Sequence, residues 1–313
     1  MSDRRPALLV IAGTTASGKT DAAIALAREL GGEIVGADSV QVYRGFDVGS
    51  AKPTAAELGG VAHHMIDLRE PPEELDAVRY AQLADEAIAG IAARGALPIV
   101  AGGTGLWLRA LLRGLVDVPP VDPRIRSRLE DRAEREGTAV LHGELAAVDP
   151  LAAGGIHKND RVRIVRALEV HEQTGKALGA LRAAHALGSA RYPCLFTALD
   201  LPREELATRV AERTARMIDA GWIDETRRLI ARYGADLRPL RSVGYRQVCE
   251  HLIDGVPLPE TARRIEKATR VYARRQRTWF RSEPGVNWWT TAEELLSPSG
   301  RARIARWRNA PVG

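Results

Sequence analysis

Cysteine is scarce in this chain, which carries two in 313 residues. Cys194 and Cys249 lie far apart with no paired spacing, so the sequence contains neither a zinc-ligand motif nor a disulfide framework. We expect both to be small buried side chains in a protein of a reducing compartment such as the cytosol. The scarcity therefore excludes disulfide-stapled secreted scaffolds and cysteine-ligated zinc proteins.

Long apolar runs are also lacking. The run at 7–12 is short and leads directly into a glycine-rich loop, so we interpret it as a core strand and not as a signal peptide. No stretch approaches the length that a membrane-spanning helix needs. We therefore expect no membrane association, and internal repeats and low-complexity tracts are absent as well.

Neither sign of charge dominates the chain. The 45 lysines and arginines oppose 40 aspartates and glutamates, which gives a formal net charge of +5. This modest excess is compatible with a polyanionic partner but does not establish one. The length is sufficient for a sizeable hydrophobic core.

Short apolar segments alternate with helical stretches in the first third of the chain. Residues 7–12, 33–37 and 97–101 have the length and the flanking turn residues of buried strands. Helical stretches such as 76–93 separate them, which predicts an α/β fold with a parallel sheet flanked by helices. Ligands of such sheets bind at the carboxyl ends of the strands. The segments at those ends are Gly13 to Thr20, Asp38 to Gln41, and Gly102 to Gly105.

The first of these segments is a phosphate loop. It reads Gly13-Thr14-Thr15-Ala16-Ser17-Gly18-Lys19-Thr20 and precedes a helix predicted from about Asp21 to Leu30. Backbone N–H groups in such a loop point at a phosphate chain, and the helix N-terminus adds partial positive charge. The Lys19 ammonium would contact the terminal phosphates, and the Thr20 hydroxyl would hold Mg²⁺.

The other two segments contain the remaining candidate catalytic groups. The strand at 97–101 ends in glycines, where a nucleoside-triphosphate hydrolase would carry a second aspartate for Mg²⁺. Asp38 could act as a general base beside the phosphate loop. It could equally be a turn residue, since Asp-Ser favours turns. Thr104 supplies the hydroxyl of the second glycine-rich turn and could contact a ligand.

The middle of the chain differs from its ends. Residues 116–187 are rich in arginine and predict helices without strands, and the first helix is capped by Asp122 with Pro123 in its first turn. We interpret 116–187 as a helical insertion domain. The catalytic core is then formed by 1–115 and 188–313.

Strand character returns at 194–199, and residues after about Ala292 are expected to form a peripheral tail. In the helical segment 269–281, arginines at helical spacing share one face beside aromatic side chains. Such a composition is typical of single-stranded nucleic-acid binding, although a solvated charged face usually explains a single stripe. Two further arginine clusters, at 124–135 and 158–166, favour the interpretation that the protein binds a polyanion. The stripe consists of Arg270, Arg274, Arg277 and Arg281.

The ordered set of motifs resembles the tRNA dimethylallyltransferase family, also called isopentenyl-tRNA transferases, in its bacterial form. The resemblance extends over about 8–290. Thr14, Val40 and Trp107 depart from the family's usual proline, methionine and tyrosine, but none of these changes removes a group that the chemistry needs. The matching motifs are Gly13 to Thr20, Asp38 to Arg44, Gly49 to Pro53, His63 to Asp67, Gly102 to Leu106, Asn159 to Glu169, Gly244 to Gln247, and Thr269 to Arg281.

The resemblance implies a P-loop NTPase-like core that transfers a prenyl group. Dimethylallyl diphosphate would give its five-carbon chain to N6 of adenosine 37, in tRNAs that read codons beginning with U. The phosphate loop would then hold a prenyl diphosphate, with Mg²⁺ on Thr20. Arg213, and after it Arg209, are candidates for further diphosphate contacts.

The same resemblance suggests roles around the nucleophile. Asp38 would take the proton from the exocyclic amine, Lys19 would stabilise the departing diphosphate, and Thr104 would align the amine or the diphosphate. Gln41 would read the adenine edge through two amide hydrogen bonds. The target base must be drawn out of its stack to reach these groups.

Arginine contacts to the anticodon stem-loop would make tRNA binding sensitive to salt. The insertion domain and the helix at 269–281 would supply most of these contacts. The residues expected to touch tRNA are Asp38, Ser39, Val40, Gln41, Thr104, Arg126, Arg161, Arg163, Arg166, Arg270, Arg274 and Arg277.

Other functions remain open at this point. An adenylate isopentenyltransferase would share the catalytic residues, but a free AMP, ADP or ATP acceptor does not need so large a basic surface. A nucleotide or shikimate-type kinase would have the same loop and turn over ATP. An RNA-binding module without activity would leave the phosphate loop and Asp38 unexplained. The favoured interpretation predicts a cytoplasmic monomer without a membrane partner.

Overall fold

The computed structural model describes residues 5–185 and 190–310 and divides the chain into two compact units. The larger unit combines Met1–Leu112 with Ala190–Gly313, and the smaller unit is Arg113–Ser189. The insertion predicted at 116–187 lies within the smaller unit. Its predicted end falls outside the described residues.

A parallel sheet forms the centre of the larger unit. Its strands are β1 (Leu8–Gly13), β2 (Gly32–Ala37), β3 (His63–His64), β4 (Leu97–Gly102), β5 (Cys194–Leu199) and β6 (Asn287–Trp289). Within the described residues they form one six-stranded sheet, ordered β3-β2-β4-β1-β5-β6, with every neighbouring pair parallel. The loops that follow β2, β4, β1 and β5 therefore leave the same edge side by side.

The strands predicted from apolar runs are confirmed. All six residues of β1 are buried, since helices cover both faces of the parallel sheet. Leu9 lies in register with Ile99 on β4 and with Leu195 on β5, which places these side chains in the main core. The predicted fold class, a P-loop NTPase-like α/β protein, is confirmed.

Helices connect the strands and build the rest of both units. The first nine are α1 (Lys19–Leu30), α2 (Ala55–Leu58), α3 (Ala77–Ala93), α4 (Gly105–Arg113), α5 (Pro123–Glu136), α6 (Thr138–Val148), α7 (Pro150–Gly155), α8 (Arg161–Thr174) and α9 (Leu178–His185). The others are α10 (Arg203–Asp219), α11 (Trp222–Tyr233), α12 (Tyr245–Asp254), α13 (Leu258–Arg281), α14 (Ala292–Leu295) and α15 (Pro298–Asn309). In the part of the chain that the structure describes, no helix is long and apolar enough to cross a membrane.

The smaller unit contains α5 to α9 and has a core of its own. The predicted N-cap of α5 is confirmed, because the Asp122 carboxylate accepts hydrogen bonds from the backbone N–H groups of Arg124 at 2.8 Å and Ile125 at 3.2 Å. Pro123 occupies the first turn, where its missing N–H costs nothing. The fully buried leucines and isoleucine of this core are Leu129, Leu141, Leu145 and Ile164.

The C-terminal segment is not the peripheral tail that the sequence suggested. Ala292, Leu295 and Ile304 are buried in the main core, together with residues of β1 and α1. The Thr291 side chain caps α14 by accepting a hydrogen bond from the Glu294 N–H at 3.1 Å. The prediction failed because these short helices carry few apolar residues, although Leu295 and Ile304 among them are fully buried.

Candidate active site

The phosphate loop joins β1 to α1 through a left-handed turn. Ala16 has a φ of 62° and Gly18, the residue directly before α1, has a φ of 82°. A Cβ atom at Gly18 would also lie 3.2 Å from the Cβ of Ala292. Glycine relieves both constraints, so the chain can turn directly into the first residue of α1, Lys19.

Two hydroxyl groups of this loop are buried and unpaired. The Oγ1 of Thr14 and the Oγ of Ser17 find no hydrogen-bond partner among residues 5–185 and 190–310. An unsatisfied buried hydroxyl costs about 1–3 kcal/mol. A bound anion would supply the missing acceptor oxygens, so this arrangement fits a phosphate ligand.

Two cations meet beside the loop. Burial, reinforced by the nearby charge of Arg213 on α10, lowers the pKa of Lys19 to about 8, although Asp38 acts in the opposite direction. Burial likewise lowers the pKa of Arg213. The Lys19 ammonium donates a hydrogen bond to the Thr14 carbonyl at 3.2 Å, but within the described chain neither cation forms a salt bridge. Two crowded cations that form no salt bridge with any described residue favour the binding of an anion.

Ser17, Lys19 and Arg213 line a cavity of about 520 Å³. The phosphate loop, the start of α1, residues 47–54 and α10 form its walls. The volume lies in the range of small-molecule sites. Apolar side chains also line it, among them Val48, Pro53 and Met217. The cavity therefore combines cationic, acidic and apolar side chains.

Glu225 on α11 fixes the segment at 47–54, and sequence reasoning missed it. Its carboxylate is 4% exposed and accepts backbone N–H hydrogen bonds from Asp47 at 2.9 Å, Val48 at 2.7 Å and Gly49 at 3.0 Å. The Tyr245 hydroxyl donates a further hydrogen bond at 2.6 Å. Glu225 thus shapes one wall of the cavity from a position far along the chain.

Asp38 follows β2, where it forms a turn and lies beside the phosphate loop. Its Oδ1 accepts hydrogen bonds from the N–H groups of Val40 at 2.9 Å and Gln41 at 3.3 Å, which is the turn that the sequence suggested. Its negative charge also opposes the lowering of the pKa values of Lys19 and Arg213 by burial, so the carboxylate lies close to the anion site. The turn orients the carboxylate and leaves its second oxygen outside that pair of hydrogen bonds.

Thr104 lies next to the Asp38 turn. Its Oγ1 accepts a hydrogen bond from the Ser39 N–H at 3.2 Å, and its own N–H donates to the Ala37 carbonyl at 3.1 Å. The structure therefore brings Asp38, Ser39 and Thr104 together, because β2 and β4 are neighbours in the sheet.

Gln41 does not present its amide as expected. Its Nε2 donates hydrogen bonds to the carbonyls of Ser50 at 3.0 Å and Ala51 at 3.1 Å. A bidentate contact with adenine needs a free amide N–H, so the predicted reading of the adenine edge by Gln41 is wrong in this arrangement. Gln41 instead ties the Asp38 turn to the wall at 47–54.

Arg209, the second predicted diphosphate contact, is shared between carboxylates. It lines the cavity with Arg213, but its guanidinium lies 2.8 Å from the Glu205 carboxylate and 3.8 Å from that of Glu293. Its charge is therefore partly neutralised. Arg213 is the better placed of the two to attract an anion.

Helix α13 carries the predicted arginine stripe, but not all of the stripe is exposed. Arg270 and Arg274 are exposed, and Arg270 lies 3.6 Å from Glu266. Arg277 instead forms an ion pair with Asp200 and donates to the Leu201 carbonyl at 2.7 Å. The expected tRNA contact is therefore corrected for Arg277, because its guanidinium already holds the loop after β5.

The arginines of the smaller unit also fall into two groups. Arg126 and Arg166 lie 2.7 and 3.0 Å from the fully buried Glu169 carboxylate, so their charges neutralise a buried group inside this unit. Arg161 donates to the Glu130 carbonyl at 2.9 Å. Arg163 is exposed and lies 3.5 Å from Asp160. Arg161 and Arg163 are the more accessible pair for a polyanion.

The fold and the site together define a P-loop protein in which Lys19 and Arg213 line a cavity that is also lined by the acidic residues Asp21, Asp47, Glu57 and Glu212. The family model described as IPP transferase matches residues 41–283. A tRNA dimethylallyltransferase of Anaeromyxobacter dehalogenans is 54% identical over 294 residues, which are 94% of this chain and 96% of that protein. The chain therefore belongs to the IPP transferase family.

Solved structures agree with this assignment. A tRNA isopentenylpyrophosphate transferase from Staphylococcus epidermidis is 30% identical with a TM-score of 0.70, over 96% of this chain and all of that one. A eukaryotic dimethylallyltransferase acting on tRNA is 27% identical with a TM-score of 0.81, over 97% of this chain and 79% of that one. The comparisons favour the enzymes that act on tRNA over the alternative that prenylates free adenine nucleotides.

Proposed function

We propose that this protein transfers a dimethylallyl group from dimethylallyl diphosphate to N6 of adenosine 37, in tRNAs that read codons beginning with U. The observation that carries the proposal is the crowded pair of cations, Lys19 and Arg213, in a cavity that is also lined by Ser17, whose hydroxyl is unpaired among the described residues, and by apolar side chains. A diphosphate with a short prenyl chain satisfies all three features. The names of the relatives agree with this substrate pair.

The reaction exchanges one bond for another. The adenine N6 attacks C1 of the prenyl group, the C1–O bond breaks, and diphosphate leaves with the bonding electrons. Lys19, Arg213 and the N-terminus of α1 stabilise the charge that develops on the departing oxygens. Asp38 accepts the proton that N6 loses, and Thr104, which is linked to the same turn through Ser39, helps to align the amine.

Mg²⁺ fits this site as an ion held largely by the substrate. Thr20 lines the cavity directly after Lys19, and its hydroxyl is the kind of oxygen donor that Mg²⁺ prefers. The described residues contain no cluster of three or more His, Cys, Asp or Glu side chains that could hold a metal alone. Thr20 would hold the ion, whose charge would help to neutralise the leaving group.

The RNA contacts follow from exposure and charge. Arg270 and Arg274 on α13, with Arg161 and Arg163 in the smaller unit, are the arginines best able to reach phosphates of an anticodon stem-loop. The adenosine must leave its stack to reach Asp38. We expect the enzyme to act as a monomer in the cytoplasm, where its tRNA substrate is found.

The direct test combines the purified protein with dimethylallyl diphosphate, Mg²⁺ and unmodified tRNA, followed by mass spectrometry of the digested nucleosides. We expect N6-dimethylallyladenosine from tRNA and none from AMP, ADP or ATP supplied at the same concentration. If the free nucleotides were prenylated and the tRNA were not, the result would support the adenylate alternative instead.

A further inference from the structure

A buried amide side chain joins two of the loops that form the active site. Gln276 on α13 is 6% exposed. Its Oε1 accepts a hydrogen bond from the Thr15 N–H in the phosphate loop at 2.9 Å, and its Nε2 donates to the Gly103 carbonyl, directly after β4, at 2.9 Å. One rigid, planar group thus spans the ends of β1 and β4.

The approach of Gln276 to the second loop is close. A Cβ atom at Gly103 would lie 2.3 Å from the Gln276 Nε2, so a larger residue at this position would displace the glutamine amide. The Thr15 N–H is also occupied by Gln276 and is not free to bind phosphate, unlike the simple picture of a loop with all its amides pointing at the ligand. The neutral amide therefore serves the geometry of the loops more than their charge.

The neighbours of Gln276 on α13 reach the other two loops. Arg277 holds Asp200 and Leu201 after β5. The Tyr272 hydroxyl is a further hydrogen-bond partner of the Gln276 side chain, and it is close enough to Asp38 after β2 to sense its charge. One turn of α13 thus contacts the loops after β1, β4 and β5 and approaches the loop after β2.

These loops carry different parts of the reaction. The phosphate loop holds the leaving diphosphate through Lys19, whereas the loops after β2 and β4 hold Asp38 and Thr104 beside the nucleophile. The distance between C1 and N6 thus depends on the spacing of the loops. A displacement of about 1 Å at a reacting centre can cost on the order of 10²-fold in rate.

We propose that Gln276 is a positioning residue, which keeps the phosphate loop and the turn at Gly103 at the spacing that prenyl transfer requires. This inference rests on the proposed function. It predicts that loss of the amide slows the chemical step more than it weakens the binding of diphosphate, because Lys19 and Arg213 are unchanged and still supply their charges when Gln276 is replaced.

The first test is Gln276→Met, which keeps the length of the side chain and removes both hydrogen bonds. We expect the single-turnover rate of prenyl transfer to fall by roughly tenfold or more, while the Kd for inorganic pyrophosphate changes by less than about threefold. Thr261→Val is the matched control, since Thr261 is another buried polar residue of α13, bonded to the Pro257 carbonyl at 3.1 Å. Equal losses of rate and pyrophosphate affinity, or the same loss of rate in the control, would overturn the proposal.

The second test is Gln276→Glu, which gives a pH signature. A protonated glutamic acid can still donate to the Gly103 carbonyl and accept from the Thr15 N–H, whereas a carboxylate repels that carbonyl. The ratio of variant to wild-type rate should therefore rise as the pH falls. Asp38, Tyr272 and Lys19 are the other ionisable groups near this site. They are present in both proteins, so the test is made on the ratio of the two rates and not on either rate alone. A ratio that does not change with pH contradicts the bridge.

Hydrogen exchange separates this inference from the proposed function. The Thr15 amide should be protected in the wild type and exchange faster in Gln276→Met, with no substrate present. Unchanged exchange at Thr15 would refute the bridge whatever the enzyme does. If the Thr15 amide exchanges faster in Gln276→Met than in the wild type, but the wild type transfers no prenyl group, only the proposed function would be refuted.

Discussion

Loss of the proton on Lys19 should weaken the capture of dimethylallyl diphosphate above about pH 8. Burial and the charge of Arg213 lower the pKa of Lys19 from 10.5 to about 8, which corresponds to roughly 3 kcal/mol against the ammonium form. A lysine is charged below its pKa, so the anion site is complete at pH 7 and loses a cation as the pH rises. At pH 9 only about a tenth of the free enzyme would carry the Lys19 charge.

The assay is kcat/KM for dimethylallyl diphosphate between pH 6.5 and 10 at saturating tRNA, because this parameter reports the protonation of the enzyme before the diphosphate binds. The terminal phosphate of dimethylallyl diphosphate loses its last proton at about pH 6, so its ionisation does not affect the profile above neutral pH. We expect a plateau followed by a fall of about tenfold per pH unit above pH 8.

Arg213→Gln tests the cause of the shift. Removing the neighbouring charge should lower the plateau, because a diphosphate contact is lost, and should move the alkaline fall to higher pH. Arg213→Lys is the control that keeps the charge and should leave the fall near pH 8. A wild-type profile that stays flat to pH 10, or a fall at the same pH in Arg213→Gln, would refute this electrostatic account.

Three further changes test the other parts of the site. Asp38→Asn should reduce the single-turnover rate by roughly 10²-fold or more with nearly unchanged tRNA affinity, and an unchanged rate would remove Asp38 from the chemistry. Arg274→Ala should weaken tRNA binding and reduce the slope of log K against log salt by about 1, whereas Arg277→Ala should lower the Tm without changing that slope. An equal change of slope in both variants would contradict their different exposures. Glu225→Gln should destabilise the protein by about 1–3 kcal/mol in chemical denaturation and raise KM for dimethylallyl diphosphate, since one wall of the cavity loses a charged acceptor; an unchanged KM would separate Glu225 from the site.

The parts of the site that are local in sequence could be predicted from the residues alone. The phosphate loop is continuous with its strand and its helix, so the spacing of Gly13, Gly18 and Lys19 was sufficient to identify it. The turn at Asp38 was visible for the same reason. Strand alternation then predicted that the segments after β1, β2 and β4 meet at one edge of the sheet, and they do.

The residues that hold these segments together could not be predicted in this way. Gln276 is 261 residues from its partner Thr15, and Glu225 is 178 residues from Asp47. A single glutamine in an arginine-rich helix carries no signal of its own in one sequence. The helical periodicity of α13 also grouped Arg277 with the exposed arginines, because periodicity alone cannot show that Arg277 forms an ion pair with Asp200.

We propose that the P-loop cavity of this protein binds a prenyl diphosphate, whose diphosphate is the leaving group, and does not use ATP as an energy source. The most direct measurement counts diphosphate released and prenylated adenosine formed in the same reaction with tRNA and dimethylallyl diphosphate, with ATP hydrolysis followed in parallel. We expect one diphosphate to be released for each adenosine that is prenylated, and no ADP or inorganic phosphate to form from ATP. Rapid hydrolysis of ATP with unmodified tRNA would contradict it.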